Sequence, residues 1–346
     1  MPVNVPELIE TEEQLDEVMT RPSPALLEFL RPLPGPLVVL GAGGKMGPSL
    51  AVLARRAAAA AGNDLNVIAV SRFSDNDART RLAARGVQTI SCDLLDEHAY
   101  AGLPDAPHIV YLVGVKFGTT QNPARTWVVN TLVPAYVARR YGDSRIAVLS
   151  TGNVYPLTPV QGGGSRETDP LTPLGEYANA CVARERIFEY FSDQAHTPLV
   201  LLRLYYALDL RYGVLVDIAT RIHRSEPVDV RMGYLNCIWQ GDANDMVLRA
   251  LGAAAVPARA LNLARPEVFS VREIGERLAR LMDKPVHIAG VESPTAYLGD
   301  TSELRRTLGT PETPLEAVLR WTAHWIQING RTLDKPTHFQ VRDGRY

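Results

Sequence analysis

Three groups of residues in this chain have types and spacing suited to chemistry. They are the glycines Gly41-x-x-Gly44-x-x-Gly47, the hydroxyl-rich segment Ser150-Thr151-Gly152-Asn153-Val154-Tyr155, and Tyr177, followed four residues later by Cys181. The glycines come directly after the apolar run Leu37-Val38-Val39-Leu40 and before an alanine-rich stretch, the strand–turn–helix context in which such a triplet has meaning. The first glycine permits a tight turn, the second a close backbone approach to phosphate, the third close packing of helix on strand. The helix start offers free N–H groups and partial positive charge to an anion. Gly41, Gly43, Gly44, Lys45, Met46 and Gly47 are therefore expected to cradle the pyrophosphate of a nicotinamide dinucleotide.

The surrounding elements must hold that turn. Short apolar runs at 37–40, 67–70, 89–92, 108–113, 146–149 and 199–203 alternate with helical stretches at 49–61, 79–84, 127–141 and 177–191. Strands buried on both faces and separated by helices imply βαβ units, hence an α/β fold with a doubly wound parallel sheet of the Rossmann type. Beyond residue 205 the alternation weakens. The expected division is an N-terminal helical extension over 1–36, packed outside the main domain, a dinucleotide-binding domain over 37–204, and a smaller, mostly helical substrate lobe with its tail over 205–346. The tail from Asp334 is expected either to be loose or to dock on another subunit, and Gly162-Gly163-Gly164 is either a flap over the substrate or a flexible loop.

The end of the second strand ordinarily reads the adenosine ribose, and an acid there favours NAD. This chain has Ser71-Arg72 instead; Arg72, with Lys45 nearby, favours the 2′-phosphate of NADP, with NAD as the alternative through Asp75 or Asp77. Asp93 and Leu94 after the third strand are placed to receive the adenine, and Val113 and Gly114 after the fourth to line the cofactor.

Composition sets the outer limits. The net charge is −2, from 36 basic and 38 acidic residues, which argues against nucleic acid or an anionic membrane surface as partner. No apolar stretch approaches the roughly 20 residues of a bilayer span. The cysteines Cys92, Cys181 and Cys237 are odd in number and widely spaced, so reduced thiols in the cytoplasm are expected rather than disulfides. The seven histidines show no paired metal spacing, and no metal is expected. Ser150 lies in no Gly-x-Ser-x-Gly elbow, against a hydrolase.

The glycine spacing, Asp93-Leu94, Asn130, Ser150–Tyr155, Tyr177, Asp242 and Leu261-Asn262-Leu263 together resemble the extended short-chain dehydrogenase/reductases, more narrowly the NAD-dependent epimerase/dehydratase group, over about residues 37–328. The resemblance implies hydride transfer between a nicotinamide and a small molecule bearing a hydroxyl or keto group, such as a sugar derivative. By position Thr151 would orient the substrate oxygen and Tyr177 would exchange its proton, with Asn130 among the cofactor residues and Asn153, Tyr205, Tyr206 and Trp239 facing the substrate. It also implies a homodimer through the helices at 127–141 and 177–191.

The chain departs from that pattern in two places. The lysine expected four residues after the tyrosine is Cys181, and a phenol with pKa near 10 is a poor base at neutral pH without a neighbouring cation. Three explanations stand: another cation replaces the lysine, either Lys116 in the loop after the fourth strand or Arg184, close in sequence but roughly a further turn along; the chemistry needs only a proton donor or weak base; or the protein binds cofactor and turns over little, as a sensor or scaffold. The second departure is in the substrate lobe. Tyr206 stands where an asparagine is expected, and no arginine precedes Asp242 to clamp a diphosphate, leaving Arg221, Arg224 and Arg231 to compensate.

Overall fold

The computed structural model describes residues 5–74, 76–116, 118 and 121–345. Seven parallel strands form the central sheet: β1 (Leu37–Leu40), β2 (Val67–Ser71), β3 (Gln88–Ser91), β4 (His108–Tyr111), β5 (Arg145–Thr151), β6 (Leu199–Leu204) and β7 (Arg259–Leu263). Their order is β7-β6-β5-β4-β1-β2-β3. The chain steps outward from β1 to β3, then crosses to β4 and steps outward the other way. That reversal opens a crevice at the carboxyl ends of β1 and β4.

Burial explains why the apolar runs are strands. Leu37, Val38, Val39 and Leu40 are all fully buried, and each such side chain stabilises the fold by about 1.5–3 kcal/mol. One sheet face is covered by α2 (Pro24–Leu30), α3 (Gly47–Ala60) and α8 (Gln240–Ala250); the other by α5 (Pro123–Arg140) and α6 (Gly175–Ala195). A second core gathers α1 (Glu12–Met19), α7 (Val214–His223), α9 (Val271–Leu281) and α11 (Leu315–Gln327) around Trp239 and Trp321, whose rings meet edge-on at 5.4 Å. The remaining helices, α4 (Asn76–Ala84) and α10 (Ser302–Leu308), are peripheral.

Three expectations about organisation are corrected. The sheet has a seventh strand: residues 259–263, assigned above to the substrate lobe, pair with β6, so the lobe is not a continuous 205–346 block. The N-terminal extension is structural rather than external, since Leu26 and Leu30 enter the core under the sheet and Leu15 and Met19 the core of the lobe. Gly164 lies against Gly299, beside the short pairing of 158–159 with 295–296, and none of residues 162–164 lines the cleft.

The tail docks on its own chain. Thr337 donates through both its N–H and its hydroxyl to Asp217 of α7, Arg342 donates to Thr295, and Gly344 packs on Leu174 and Gly175 at the start of α6.

Candidate active site

The glycine turn is built for a close ligand. Gly41 has φ +84, and a Cβ there would lie 2.9 Å from the backbone nitrogen of Val113. A Cβ on Gly47 would lie 2.5 Å from the Cα of Ala42, so only glycine lets α3 start against the strand. No side chain caps the N-terminus of α3, which leaves its N–H groups to an anion. The donor set and the cradle fit the pyrophosphate of a dinucleotide.

From this turn two arms of one cleft diverge. The first arm, 330 Å³, runs over the ends of β2 and β3 and is lined by Ser71, Arg72, Asp93, Leu94, Val113 and Gly114, with Arg125 of α5 opposite. Asp93 accepts from the N–H of Leu95 at 3.1 Å, and Arg72 is exposed at the rim. Arg125 carries no motif, and only the packing of α5 brings it there. Asp75, weighed above as an NAD ligand, lies outside the described residues.

The second arm, 260 Å³, runs over the ends of β4, β5 and β6 toward the lobe. Lys45, Met46, Lys116, Thr151, Asn153, Tyr177, Tyr205 and Tyr206 line it, as does Arg184, weighed above as a replacement cation, and so do Tyr212, Tyr297 and Thr337, which motif reasoning does not single out as site residues. Tyr297 and Thr337 come from segments with no motif; only the tertiary fold recruits them.

At its centre Tyr177 hydrogen-bonds to Thr151 and to the Cys181 thiol. The Thr151 hydroxyl donates to Asn153 Oδ1 at 3.0 Å. Burial pushes the Tyr177 phenol above the ordinary phenolic range and Cys181 adds to the rise, while Arg184 and the Thr151 hydrogen bond pull the other way. Cys181 is itself fully buried, and burial raises its thiol, so it supplies no cation.

The cations come from elsewhere. Arg184, one turn beyond Cys181, is buried and donates to the carbonyl of Leu149 at 2.9 Å and to Asn130 Oδ1, while its Nε has no partner. Burial works against its charge, but Cys181, Tyr111, Tyr177 and Glu185 outweigh it and hold the guanidinium charged. Gly114 makes room for it, since a Cβ there would lie 2.7 Å from Nη2. Lys116 lines the same arm, and burial lowers it to about 8, opposed by Cys181.

Behind the chamber lies a closed polar network. Glu185, fully buried, pairs with Arg203 at 2.7 Å and accepts from Ser150; Arg203 also donates to Tyr155, which donates to Asn262 at 3.0 Å. It fixes the ends of β5, β6 and β7 to α6, and so sets the spacing of Thr151 and Tyr177.

Four sequence assignments change. Trp239 is core, 2 % exposed against Trp321, and does not reach the cleft. Asn130 is fully buried beneath Gly114, bonded to Thr126 and Arg184, and lines neither arm. Lys45 points away from the adenosine end: its Nζ sits 3.4 Å from the ring centroid of Tyr212 across the second arm. Arg221, Arg224 and Arg231 do not line either arm; Arg231 is tied to Asp229 at 2.6 Å. Among the described residues no group of His, Cys, Asp and Glu could hold a metal ion, and no helix is long and apolar enough to cross a membrane.

Residues 37–229 match the model of the NAD dependent epimerase/dehydratase family. The chain belongs to that family. By this membership it is an enzyme of epimerase/dehydratase type, dependent on a nicotinamide dinucleotide. Similar solved structures include a UDP-glucuronic acid 4-epimerase from Bacillus cereus in complex with UDP-4-deoxy-4-fluoro-glucuronic acid and NAD (17% identity, TM-score 0.72, 85% of this chain and 99% of that one). The UDP-Glc/GlcNAc 4-epimerase of Campylobacter jejuni gives 20% identity and TM-score 0.70, and the UDP-glucose 4-epimerase of Thermus thermophilus with NAD gives 19% and 0.69, both over 85% of this chain and 99% of theirs. At these identities the likeness is one of fold. No curated protein sequence matches the chain.

Proposed function

We propose that the protein is a dinucleotide-dependent oxidoreductase or epimerase in which Thr151 orients a substrate hydroxyl or keto oxygen and Tyr177 exchanges its proton. The observation that carries this reading is the hydrogen-bonded pair Thr151–Tyr177 at the carboxyl ends of the strands, in the arm that opens from the glycine turn. The bound dinucleotide supplies the hydride donor or acceptor. The role that the family gives to a lysine at position 181 passes to Arg184 and Lys116, one acting on Tyr177 and both on Cys181. Two arginines at the rim of the adenosine arm, Arg72 and Arg125, favour NADP over NAD, since guanidinium groups suit a phosphate dianion. Two of the similar structures, those from Thermus thermophilus and Bacillus cereus, are complexes with NAD, which supports the unphosphorylated form; competition between the two dinucleotides for the purified protein decides the point.

The neighbours' substrates make a sugar derivative a reasonable class. Against a nucleotide diphosphate stands the missing arginine clamp: Arg221, Arg224 and Arg231 all lie away from the cleft. A second reading, a dinucleotide-binding sensor with little turnover, is favoured by the upward shift of Tyr177 and by Cys181. Nicotinamide absorbance in the presence of candidate hydroxy substrates, for wild type and Tyr177→Phe, separates the two. Turnover abolished by the substitution supports the enzyme; dinucleotide binding with no turnover in either supports the sensor.

We further propose a cytoplasmic homodimer. The three cysteines are free and buried. Trp127, Val128 and Leu132 of α5 and Tyr190 of α6 are exposed large apolar side chains on the two helices that would pair.

A further inference from the structure

We propose that the segment from Leu333 to Gly344 is a strap that completes the reaction arm and holds Tyr177 at its working position. The proposal rests on the functional reading above and adds positioning residues to the same site, far from it in sequence.

The segment follows α11 and contains no helix or strand, so single contacts fix its course. The Leu333 N–H donates to the carbonyl of Arg211 at 2.8 Å. The Thr337 N–H donates to Asp217 Oδ2 at 2.8 Å, and its hydroxyl donates to the same oxygen. Phe339 is buried in the core of the lobe, and its carbonyl accepts from the Tyr206 hydroxyl at 3.5 Å. Arg342 donates to the carbonyl and the hydroxyl of Thr295, at 2.7 and 2.6 Å. Gly344 packs on Leu174 and Gly175.

These contacts converge on the reaction arm. Arg211 precedes Tyr212, Asp217 lies three residues beyond Val214, Thr295 lies two before Tyr297, and Gly175 lies two before Tyr177. Tyr212, Val214, Tyr297 and Tyr177 all line the arm, and Tyr206 and Thr337 line it themselves. The strap therefore grips the separate segments that wall the arm. A tail that only stabilised the lobe would have no need to reach α6, which belongs to the sheet.

That last contact bears on Tyr177. No side chain caps α6, and Tyr177 stands in its first turn, where helices fray most readily. Gly175 and Gly344 both have positive φ, +80 and +74, and a Cβ on either would collide with the backbone facing it. Two main chains packed this closely leave the start of α6 no room to move outward, so the strap takes the place of a cap. The position matters because Tyr177 must meet Thr151, and a misplacement of about 1 Å costs up to about a hundredfold in rate.

The test is amide hydrogen exchange of the full-length, dinucleotide-saturated protein, read by mass spectrometry beside calorimetry and turnover. Gly344→Ala should speed exchange at 175–179 by about tenfold or more and leave β1 and β4 at wild-type rates. Dinucleotide affinity should stay within about twofold, since the strap does not touch the glycine turn. Turnover should fall by about tenfold to a hundredfold. Arg342→Gln, which keeps both glycines and loses the Thr295 anchor, should move exchange and turnover the same way by less, and it decides the matter if Gly344→Ala does not fold. The exposed neighbour Arg345→Gln should match wild type. Wild-type exchange at 175–179 in the folded variants overturns the proposal. So does faster exchange with unchanged turnover, and so does a uniform rise that includes β1 and β4, which assigns the segment to global stability alone. A wild-type protein that holds dinucleotide and turns over no hydroxy substrate removes the functional reading instead, while exchange still reports whether the strap holds α6.

Discussion

Replacing Arg184 by methionine separates charge from packing at the centre of the site. The guanidinium makes two hydrogen bonds, to Leu149 O and to Asn130 Oδ1. Bonds from a charged donor are worth about 1.5–3 kcal/mol each, so their loss costs about 3–6 kcal/mol. Against this, no carboxylate forms an ion pair with Arg184 among the described residues, its Nε is unpartnered, and its burial carries a desolvation penalty of several kcal/mol that methionine removes. The two terms nearly cancel, leaving a net destabilisation of about 2 kcal/mol or less. At about 2–4 °C per kcal/mol the midpoint of thermal unfolding should fall by less than about 8 °C. Catalysis has no such offset. Arg184 is the cation that pulls the Tyr177 phenol down, against burial and Cys181, which raise it. Without it the phenolate becomes scarcer at a given pH, turnover near neutrality should fall by about tenfold or more, the scale of one lost charge interaction, and the alkaline-rising limb moves to higher pH. Arg184→Lys, which keeps a charge, should recover part of the shift. The assay is turnover against pH, read by nicotinamide absorbance, beside a thermal melt. A folded methionine variant whose pH profile and rate stay within about twofold of wild type refutes the assignment of Arg184 as the positioning charge.

Other outcomes follow from the same geometry. Tyr177→Phe should lose turnover and keep dinucleotide affinity within about twofold, measured by calorimetry. Gly47→Ala should weaken dinucleotide binding by more than about tenfold, because its Cβ would displace α3 from Ala42. Glu185→Gln should destabilise by about 3–5 kcal/mol in chemical denaturation, since it leaves the Arg203 guanidinium without its buried counter-charge.

Much of the sheet could be read from the sequence because its strands are short, wholly apolar runs set between helices. The glycine turn and Thr151 were legible for the same reason: each sits at a strand end, where the parallel sheet fixes its position, while Tyr177 lies in the first turn of α6. The residues that escaped are those whose place depends on distant packing. Arg259–Leu263 reads as an isolated run amid helices, and only its pairing with β6 makes it the seventh strand. Tyr297 and Thr337 reach the cleft because the 295–296 segment and the tail fold back. Lys45 sits in a turn whose backbone was predictable, yet its side chain follows the ring of Tyr212, more than 160 residues away. Trp239 looked like a pocket residue because aromatics are common in pockets; Trp321 on α11 claims it for the core.

The substitution at position 181 makes physical sense beside these residues. Residues at i and i+3 on a helix stand about 5–6 Å apart at Cβ, so a lysine at 181 would place a second cation beside Arg184, in a space already facing Lys116. Like charges at about 6 Å repel by roughly 3 kcal/mol at an effective dielectric of 20. A neutral thiol avoids that repulsion and still hydrogen-bonds Tyr177. Arg184 is held by Asn130, and Gly114 leaves it room. In the function proposed above, the charge that the family resemblance implies at position 181 is carried one helical turn further on, by Arg184. The consequence can be checked: Cys181→Lys alone should impair the protein, while Cys181→Lys combined with Arg184→Met should recover both stability and turnover. If the single variant is the more active of the two, the charges do not substitute for one another.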